Sequence, residues 1–504
     1  MFESRKSPET VAFSDEQRAA WDRVAAALAG HGVDIGAQTH SKRPETKAGT
    51  DLLAVLGKAG SGKTVLLAAL AEALKGAKLT PVTPDWESRR YRGRRSFAVL
   101  APTNKAAGVL RAKGVPATTI HRIIYTPVYD PEFEKVAEWL EDLGGRARPQ
   151  IDALSEEALD RAEAAYRAHD SVPGALAAAG VRGADFITGW KRREDPLDIA
   201  LVDEASMIEA RQLDDLREIF GMIVLFGDPA QLAPVQSKGG MVFDSLPKTR
   251  LLALARVHRQ AADNPILDLA HALGDPALGF EDFEDRVREA ARSDDRVRIS
   301  PRADAELMAE SPMLVWRNKT RVRLIRAFRQ SHGCPDDALA PGEPLICDGL
   351  EIPLKHRKSR IELESRGLVK GAQATYLGPG KKPGFNKVHL AGSDAPGISI
   401  ATIIQIESPD AEEPRLIAAA RMGAVFLHGA ACTIHKAQGS QWPTVQVFAP
   451  DLFAAARAGQ TEAGIALWKR LAYVAITRAE ERLVWVTRYM MSRPESPLGD
   501  RAAP

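Results

Sequence analysis

Residues 57–64 read Gly57-Lys58-Ala59-Gly60-Ser61-Gly62-Lys63-Thr64 and join a strand pattern to a helix pattern. Leu52–Leu56 before them is a short apolar run, and Val65–Leu74 after them is rich in Leu and Ala. Glycines at this spacing let backbone N–H groups close around phosphate oxygens, and the helix N-terminus adds a favourable potential. We therefore predict that all eight residues bind a nucleoside triphosphate, with Lys63 at the β- and γ-phosphates and Thr64 on Mg²⁺.

Short apolar runs recur along the chain, each ending in a polar turn, with Ala- and Leu-rich helical stretches between many of them. This alternation predicts parallel β-sheets covered by helices, in which ligands bind at the carboxyl ends of the strands. Besides Leu52–Leu56, the predicted strands are Phe97–Leu100, Ile199–Val202, Ile223–Phe226, Met313–Trp316, Val445–Phe448 and Leu483–Val486.

Two of these strands end in residues suited to phosphate hydrolysis. Asp203 and Glu204 follow Ile199–Val202, and side-chain alternation would turn Asp203 to Mg²⁺ and Glu204 to the attacking water. After the next strand, Gln231 could hydrogen-bond the γ-phosphate or the water, whereas Asp228 could simply cap a turn. Arg259 and Arg478 are candidates to stabilise the charge of the transition state.

Composition fits a soluble globular protein. Of 504 residues, 45% are hydrophobic and 27% are charged, which excludes a disordered or fibrous chain, and the length alone corresponds to roughly three domains. Cys334, Cys347 and Cys432 form no C-x-x-C pair, so we expect neither a disulfide framework nor a thiolate zinc site. The absence of a signal-like start or a membrane-length apolar segment predicts a cytoplasmic location.

The formal net charge of +2 argues against a surface that binds nucleic acid everywhere, so any such binding must come from local patches. Taken alone, each basic patch is more simply interpreted as a solvated face. The patches are Arg89–Arg95, Lys191–Arg193, the arginine-rich run Arg317–Arg329, and Lys355–Arg360.

Two stretches interrupt the alternation of strands and helices. Asp130–Ala179 is rich in Ala, Glu and Arg and predicts a helical insertion, whereas Ala340–Glu413 is rich in Gly and Pro with short alternating runs and predicts a small β-rich insertion. The acidic run Glu281–Asp285 is predicted to lie in a connector between two halves of the chain.

In this order, the segments resemble the motifs of superfamily 1 helicases, and most of all the RecD/Dda-like branch. The resemblance covers both halves of the chain. It rests on Phe13–Gln17, Gly57–Thr64, Leu100–Ala106, Thr118–His121, Asp203-Glu204, Gly227–Gln231, Val257–Gln260, Cys432–Ser440 and Tyr473–Ala479.

The resemblance implies two tandem RecA-like domains, residues 1–260 and 261–504, with ATP and Mg²⁺ between them. Gln17 would read the adenine, Gly439 would contact the nucleotide, and Gln441 stands where many relatives have an acidic residue. The insertions would fall at about 122–196, carrying the strand-separating element, and at about 340–425, which is SH3-like in the family. Phe186–Trp190 is the best candidate for the separating pin. Catalysis would fall to Lys63, Asp203, Glu204, Gln231, Arg259 and Arg478, and Thr64 and Asp203 would hold the metal.

Further residues lie where relatives line a single-strand channel, although each could instead be a turn or cap residue. Trp190, Trp316 and Trp442 could stack on bases, but a place in the core or a domain interface is the simpler interpretation. The predicted DNA contacts are Thr103, Asn104, Lys105, His121, Asn318, Thr433, His435 and Lys436.

The sequence thus predicts a monomeric ATP-dependent motor that moves along single-stranded DNA and opens duplex junctions, with 5′→3′ polarity implied by the resemblance alone. Other replication or recombination proteins are possible partners. Two alternatives stay open: an RNA-directed helicase of the same superfamily, and an ATP-switched DNA-binding subunit of a larger recombination or mobilisation complex.

Overall fold

A computed structural model describes most of the chain. The described residues are 13–41, 50–82, 94–129, 131–152, 154–169, 172–179, 187–234, 240–255, 264–351, 363, 368, 370–391, 397–407, 415–419, 423–462 and 464–498. Arg259, Phe186 and the patch Lys355–Arg360 lie outside them, as does all but the end of Arg89–Arg95.

Helices occur in both halves of the chain. They are α1 (Asp15–Gly30), α2 (Lys63–Gly76), α3 (Asn104–Ala112), α4 (Ile120–Ile124), α5 (Pro131–Glu141), α6 (Glu156–His169), α7 (Val172–Ala178), α8 (Ala210–Ile219), α9 (Pro265–Ala272), α10 (Phe280–Ser293), α11 (Ala305–Glu310), α12 (Asn318–Ser331), α13 (Ile434–Ala437), α14 (Ala449–Arg457) and α15 (Leu467–Ile476).

Strands before residue 260 are β1 (Val33–Asp34), β2 (Thr39–His40), β3 (Asp51–Gly57), β4 (Thr80–Pro81), β5 (Ser96–Ala101), β6 (Ala117–Thr119), β7 (Tyr125–Tyr129), β8 (Ile187–Arg192), β9 (Leu197–Val202), β10 (Phe220–Gly227) and β11 (Leu251–Leu254). Those after it are β12 (Val297–Ser300), β13 (Met313–Val315), β14 (Pro344–Glu351), β15 (Gln373–Pro379), β16 (Phe385–Leu390), β17 (Ile398–Ile406), β18 (Arg415–Ala419), β19 (Gly423–His428), β20 (Ala431–Thr433), β21 (Trp442–Phe448), β22 (Thr461–Glu462), β23 (Ile465–Ala466) and β24 (Ala479–Val486).

The first half is built on a parallel sheet in the order β11-β3-β10-β9-β5-β4, with β6 also paired to β5. Its central strands are buried along almost their whole length because helices or loops cover both faces. All strands run the same way, so the residues that follow β3, β10, β9 and β5 meet at one edge of the sheet.

The first insertion sits at the end of a hairpin. Strands β7 and β8 pair antiparallel, and helices α5, α6 and α7 lie between them in the chain, around an apolar core of their own. The helical insertion predicted from composition is therefore confirmed. Of the predicted pin, Ile187–Trp190 forms part of β8.

The second half contains another parallel sheet, ordered β12-β24-β21-β13-β20. Between β13 and β20 in the chain, strands β14 to β19 form the β-rich insertion. There the additional pairing of β16 with β17 closes β16-β15-β14-β19-β17 into a small barrel, with β18 beside β17. The fold is thus the predicted pair of RecA-like domains, each with an insertion of the predicted class.

One organisational prediction is wrong. Glu281–Asp285 belongs to α10, which packs Phe280, Phe283 and Val287 into the core of the second half. Charge density suggested a connector, but the apolar residues at helical spacing carry the structural information. Across the described residues, no helix has both the length and the apolar character needed to span a membrane.

Candidate functional site

The phosphate loop follows β3, and its glycines are required by geometry. A Cβ at Gly57 would stand 2.9 Å from the Leu254 carbonyl oxygen. Gly60 and Gly62 have φ of +80° and +81°, a region that other residues rarely adopt. Gly62 is also the N-cap of α2, so the loop delivers its N–H groups at a helix N-terminus.

The Lys63 ammonium bonds to carbonyl oxygens of the loop itself. Lys63 Nζ donates to the carbonyl oxygens of Gly57 and, at 3.0 Å, Lys58. Ser61 Oγ is buried and finds no hydrogen-bond partner within the described part of the chain. Gln17 is buried against the same loop, with Nε2 3.4 Å from the Gly62 carbonyl oxygen. A buried hydroxyl without a partner in the described residues and an ammonium hydrogen-bonded to loop carbonyls fit a site built for phosphate.

The carboxylates lie two strands away at the same edge of the sheet. Asp203 follows β9 and accepts from the Glu204 N–H at 3.0 Å, while Glu204 has φ of +50°. Such a conformation is uncommon for a residue with a side chain and is found at functional turns. Ser206 in the next turn donates to Gln231 Oε1 at 3.4 Å, which places Gln231 against the carboxylate turn.

The pKa of Asp203 is raised to about 7 by burial, with the Glu204 charge adding to the effect. Because this pKa is higher in the folded protein than in the unfolded chain, stability falls as pH rises from about 4 to about 7. We expect Asp203→Asn, assayed with a chelator, to stabilise the fold by about 1–2 kcal/mol at pH 8 and much less at pH 5. Thermal unfolding at both pH values measures this, with exposed Asp214→Asn as the control; equal midpoints for Asp203→Asn and wild type at pH 8 would contradict it.

Helix α15 of the second half closes the site from the opposite side. Tyr473 Oη accepts from the Ala59 N–H at 2.7 Å and donates to Asp228 Oδ2 at 2.5 Å. Arg470 is buried and donates to the Gln231 carbonyl oxygen. The two halves therefore meet through the phosphate loop and the Asp228–Gln231 loop, and Asp228 does more than cap its turn. Burial raises the pKa of Asp228.

The two predicted arginines have different outcomes. Arg259 lies outside the described residues. Arg478 is buried, and its guanidinium donates to the carbonyl oxygens of Val474 (3.1 Å) and Ser440 (3.2 Å) and to Thr477 Oγ1 (3.2 Å). It thus lies at the end of α15, bound to residues of its own half. Its contact with the terminal phosphate remains a prediction.

Two predicted DNA contacts are helix caps. Thr103 Oγ1 accepts from the Ala106 N–H at 3.1 Å at the start of α3, and Thr433 Oγ1 accepts from the Lys436 N–H at 3.4 Å at the start of α13. A capping hydroxyl uses a lone pair and keeps its own hydrogen to donate. Both threonines can therefore cap a helix and still donate to a phosphate.

Lys105 and Gly439 lie at the junction between the halves. Lys105 Nζ is 4.5 Å from the centre of the buried Trp442 ring, and burial lowers its pKa to about 8. A Cβ at Gly439 would stand 3.2 Å from Thr103 Oγ1, and Gly439 has φ of +71°. Trp442 is thus an interface residue, and Gly439 lies beside a predicted DNA contact. The predicted roles of Lys105 on DNA and Gly439 on nucleotide stay predictions.

The remaining predicted contacts lie at or near the carboxyl edges of the sheets. Asn104 is half-buried in the first turn of α3, His121 is exposed beside Tyr125, and Asn318 is exposed at the start of α12. His435 is half-buried, and burial lowers its pKa, so at neutral pH the uncharged ring would bond to phosphate. Exposed Lys436 lies 3.8 Å from Asp348 of the barrel.

Sequence reasoning did not assign Tyr473, Arg470 or an inter-domain role to Asp228. The signal was present, because Arg470, Tyr473 and Thr477 recur at helical spacing on α15. Polar residues at this spacing on a largely buried helix mark a face that meets another polar surface.

Comparisons with known proteins agree on one family. A model described as an AAA domain matches residues 36–292, just over half of the chain, and a model described as a UvrD-like helicase C-terminal domain matches residues 428–486. Conjugal transfer protein TraA of Agrobacterium fabrum is 24% identical over 352 residues, or 62% of this chain. The chain spans 28% of the length of that relative.

Solved structures of Pif1 helicases are similar over almost the whole chain. Pif1 from Candida albicans is 16% identical with a TM-score of 0.46, and 95% of each chain is covered. Bacteroides Pif1 bound to ssDNA is also 16% identical, with a TM-score of 0.45 and coverage of 98% of this chain and 96% of that one. A Bacteroides Pif1 complex with ADP-AlF3 and ssDNA is 15% identical, with a TM-score of 0.45 and coverage of 98% and 97%.

Proposed function

The chain belongs to the superfamily 1 helicases, which are ATP-driven, and we propose that it is of the Pif1/RecD-like type, moves 5′→3′ along single-stranded DNA and separates duplexes. The observation that carries the proposal is the contact of α15 with the phosphate loop. Tyr473 of the second half bonds to Ala59 and Asp228 of the first, so a nucleotide bound at the loop lies where the halves meet. Binding and loss of its terminal phosphate can then move one half against the other.

In this proposal, residues 57–64 hold the triphosphate and Gln17 lies close enough to the loop to read the base. Thr64 and Asp203 would hold Mg²⁺, which would neutralise charge on the phosphate oxygens. No group of three or more His, Cys, Asp or Glu side chains among the described residues could hold a metal alone. The pair Thr64 and Asp203 suits Mg²⁺, which commonly takes one or two protein ligands and completes its shell with phosphates and water.

Glu204 would take the proton of the attacking water, and Gln231 would hold that water or the γ-phosphate. Arg259, at the end of the first half, and Arg478, in the second half, would reach the γ-phosphate and stabilise the spreading negative charge. We propose a division at residue 260, with insertions at about 122–196 and 340–425, into two units that move against each other. The proposal is supported by the two parallel sheets, which lie on either side of that residue in the chain. We further propose a monomeric motor in the cytoplasm, where the three unpaired cysteines would stay reduced.

The proposed DNA track crosses the carboxyl edges of both sheets. Thr103, Asn104, Lys105 and His121 would contact phosphates from the first half, and Asn318, Thr433, His435 and Lys436 from the second. Hydroxyl, amide and imidazole groups bind the backbone without reading bases, as a translocating motor requires.

Polarity is tested with duplexes that carry a single-stranded overhang on one end only. We expect strand separation when the overhang is 5′ and ATP with Mg²⁺ is present, and at least tenfold slower separation when it is 3′. The Lys63→Ala variant controls for spontaneous melting. Faster separation from the 3′ overhang would refute the proposed direction, and stimulation of ATP hydrolysis by RNA but not by DNA oligonucleotides would favour the RNA-directed alternative.

A further inference from the structure

The arginine-rich run Arg317–Arg329 divides into two sets in the structure. Arg321 and Arg329 are buried and pair with Glu407 and Glu343. These arginines fasten α12 to the β-rich insertion. Packing against the insertion thus explains these two arginines, but it does not explain the charged residues on the outward face of α12.

That outward face is cationic. Lys319 and Arg323 are one helical turn apart and exposed, and within the described residues neither has an ion pair or hydrogen bond. Arg317, one residue before α12, is also exposed and pairs with the buried Asp451. Unpaired cations grouped on one helix face attract polyanions and raise their local concentration.

An exposed aromatic side chain lies beside these cations. Tyr489 is 49% exposed and the neighbouring Met490 is 48% exposed, among the highest values for large apolar side chains in the described structure. Partial burial raises the Tyr489 pKa; the charges of Arg323 and Arg317 act against this, and the charge of Asp451, the partner of Arg317, adds to it. These residues together are called the cationic-aromatic surface below: Arg317, Lys319, Arg323, Tyr489 and Met490.

The exposure of Tyr489 is built into the fold. The Met490 carbonyl oxygen accepts from the Ala303 N–H at 2.7 Å, and the Ser492 N–H donates to the Ala303 carbonyl oxygen at 2.8 Å. The Tyr489 ring packs edge-on against Phe448 with centres 5.1 Å apart. Because the Thr487 N–H also donates to the Ser300 carbonyl oxygen at 2.9 Å, the backbone is held before and after Tyr489, while about half of the side chain stays in solvent.

The position of this surface continues the proposed DNA track. Strands β24, β21, β13 and β20 are consecutive neighbours and parallel, so the residues after them share one edge of the sheet. Thr433 is the last residue of β20, Asn318 follows β13, and Tyr489 follows β24. Two strand spacings separate the ends of β13 and β24, about 10 Å, a length that about three stacked nucleotides cover.

We propose that the cationic-aromatic surface is an additional single-stranded DNA subsite, where Tyr489 stacks on a base and Lys319 and Arg323 hold the adjoining phosphates. The inference rests on the proposed function, since it extends the track that crosses Asn318 and Thr433. Phosphate attraction and base stacking are the two elements of sequence-independent binding, and both are present here. The subsite would lengthen the grip of the second half on the strand.

The test measures binding of labelled oligo(dT) in a series of lengths to the full chain, by fluorescence anisotropy without nucleotide. Wild type should gain affinity with length until the subsite is filled. The measured quantity is the gain in affinity from the shortest oligonucleotide that binds to the longest. We expect Tyr489→Ala to reduce this gain about tenfold, and Tyr489→Phe to keep it because the ring can still stack. The salt dependence of the affinity gives the number of counterions released on binding. For the longest oligonucleotide, Arg323→Ala should lower this number by about one.

Phe453→Ala is the matched control, since Phe453 is an exposed aromatic residue (40%) on α14, packed against Phe280. Thermal unfolding checks that every variant is folded. If Tyr489→Ala gains affinity with length as wild type does, or if Phe453→Ala loses as much, the subsite is wrong while the helicase proposal stands. If wild type binds no oligonucleotide at any length, the proposed function itself fails.

Discussion

ATP hydrolysis by the Glu204→Gln variant is expected to fall about a thousandfold, with ATP binding retained. The Glu204 turn directly follows Asp203 at the edge of the sheet that carries the phosphate loop, and its φ of +50° sets the direction of the side chain. A general base contributes about 10²–10⁴ to a rate, and glutamine keeps the shape while losing the ability to accept a proton. The measurement is single-turnover hydrolysis with saturating single-stranded DNA, with nucleotide affinity measured in parallel.

Two further variants make this result specific. Lys63→Ala should abolish hydrolysis by weakening nucleotide binding itself. It removes the ammonium group that bonds to the Gly57 and Lys58 carbonyl oxygens inside the phosphate loop. Glu218→Gln, an exposed carboxylate on α8, should behave as wild type within about twofold. Hydrolysis by Glu204→Gln within tenfold of wild type would mean that another group takes the proton.

Arg478→Ala is expected to lower the rate of hydrolysis about a thousandfold while changing nucleotide affinity little. The described structure offers its buried guanidinium only neutral acceptors, the Val474 and Ser440 carbonyl oxygens and the Thr477 hydroxyl. A buried charge without a counter-charge is poorly compensated, so the γ-phosphate is a better partner than the present ones. An inserted arginine is worth about 10³–10⁵ in phosphoryl transfer, most of it in the transition state.

Lysine should not replace this arginine, because its point charge lacks the planar fork that spans two phosphate oxygens. Arg478→Lys should therefore stay within about tenfold of Arg478→Ala in single-turnover hydrolysis. Arg482→Ala, at an exposed position four residues further along, tests for a general loss of positive charge. A hydrolysis rate for Arg478→Ala within threefold of wild type would show that Arg478 does not reach the phosphate.

Much of the fold follows from local pattern. Each predicted apolar run is found in a strand or, for Trp316, one residue past its end, because a strand buried on both faces needs little besides apolar, often β-branched residues. Short strands such as β6 and β20 were not predicted, since three residues carry too little pattern to distinguish them from a turn. The acidic start of α10 was misassigned because its surface charges outnumber its three buried apolar residues.

Some residues of the site can likewise be identified from local spacing, and others only from the packing of the two halves. The phosphate loop and the Asp203-Glu204 pair lie within a few residues of a strand end, so spacing alone identifies them. Tyr473 and Asp228 are 245 residues apart and become partners only through the packing of the two halves. The arginine-rich run shows the same limit, because the sequence does not distinguish the arginines that pair with Glu343 and Glu407 from those left in solvent.

The hydroxyl of Tyr473 occupies a backbone N–H of the very loop that must receive the triphosphate. A phosphate oxygen that takes the Ala59 N–H would have to displace this hydroxyl, so Tyr473 would act as a tethered competitor at a fixed and high effective concentration. The measured affinity for ATP would then be the intrinsic affinity multiplied by the fraction of molecules in which the Tyr473 hydroxyl has left the loop. Because Arg478 lies at the end of the same helix, release of Tyr473 from the loop and approach of Arg478 to the phosphate would be coupled through α15.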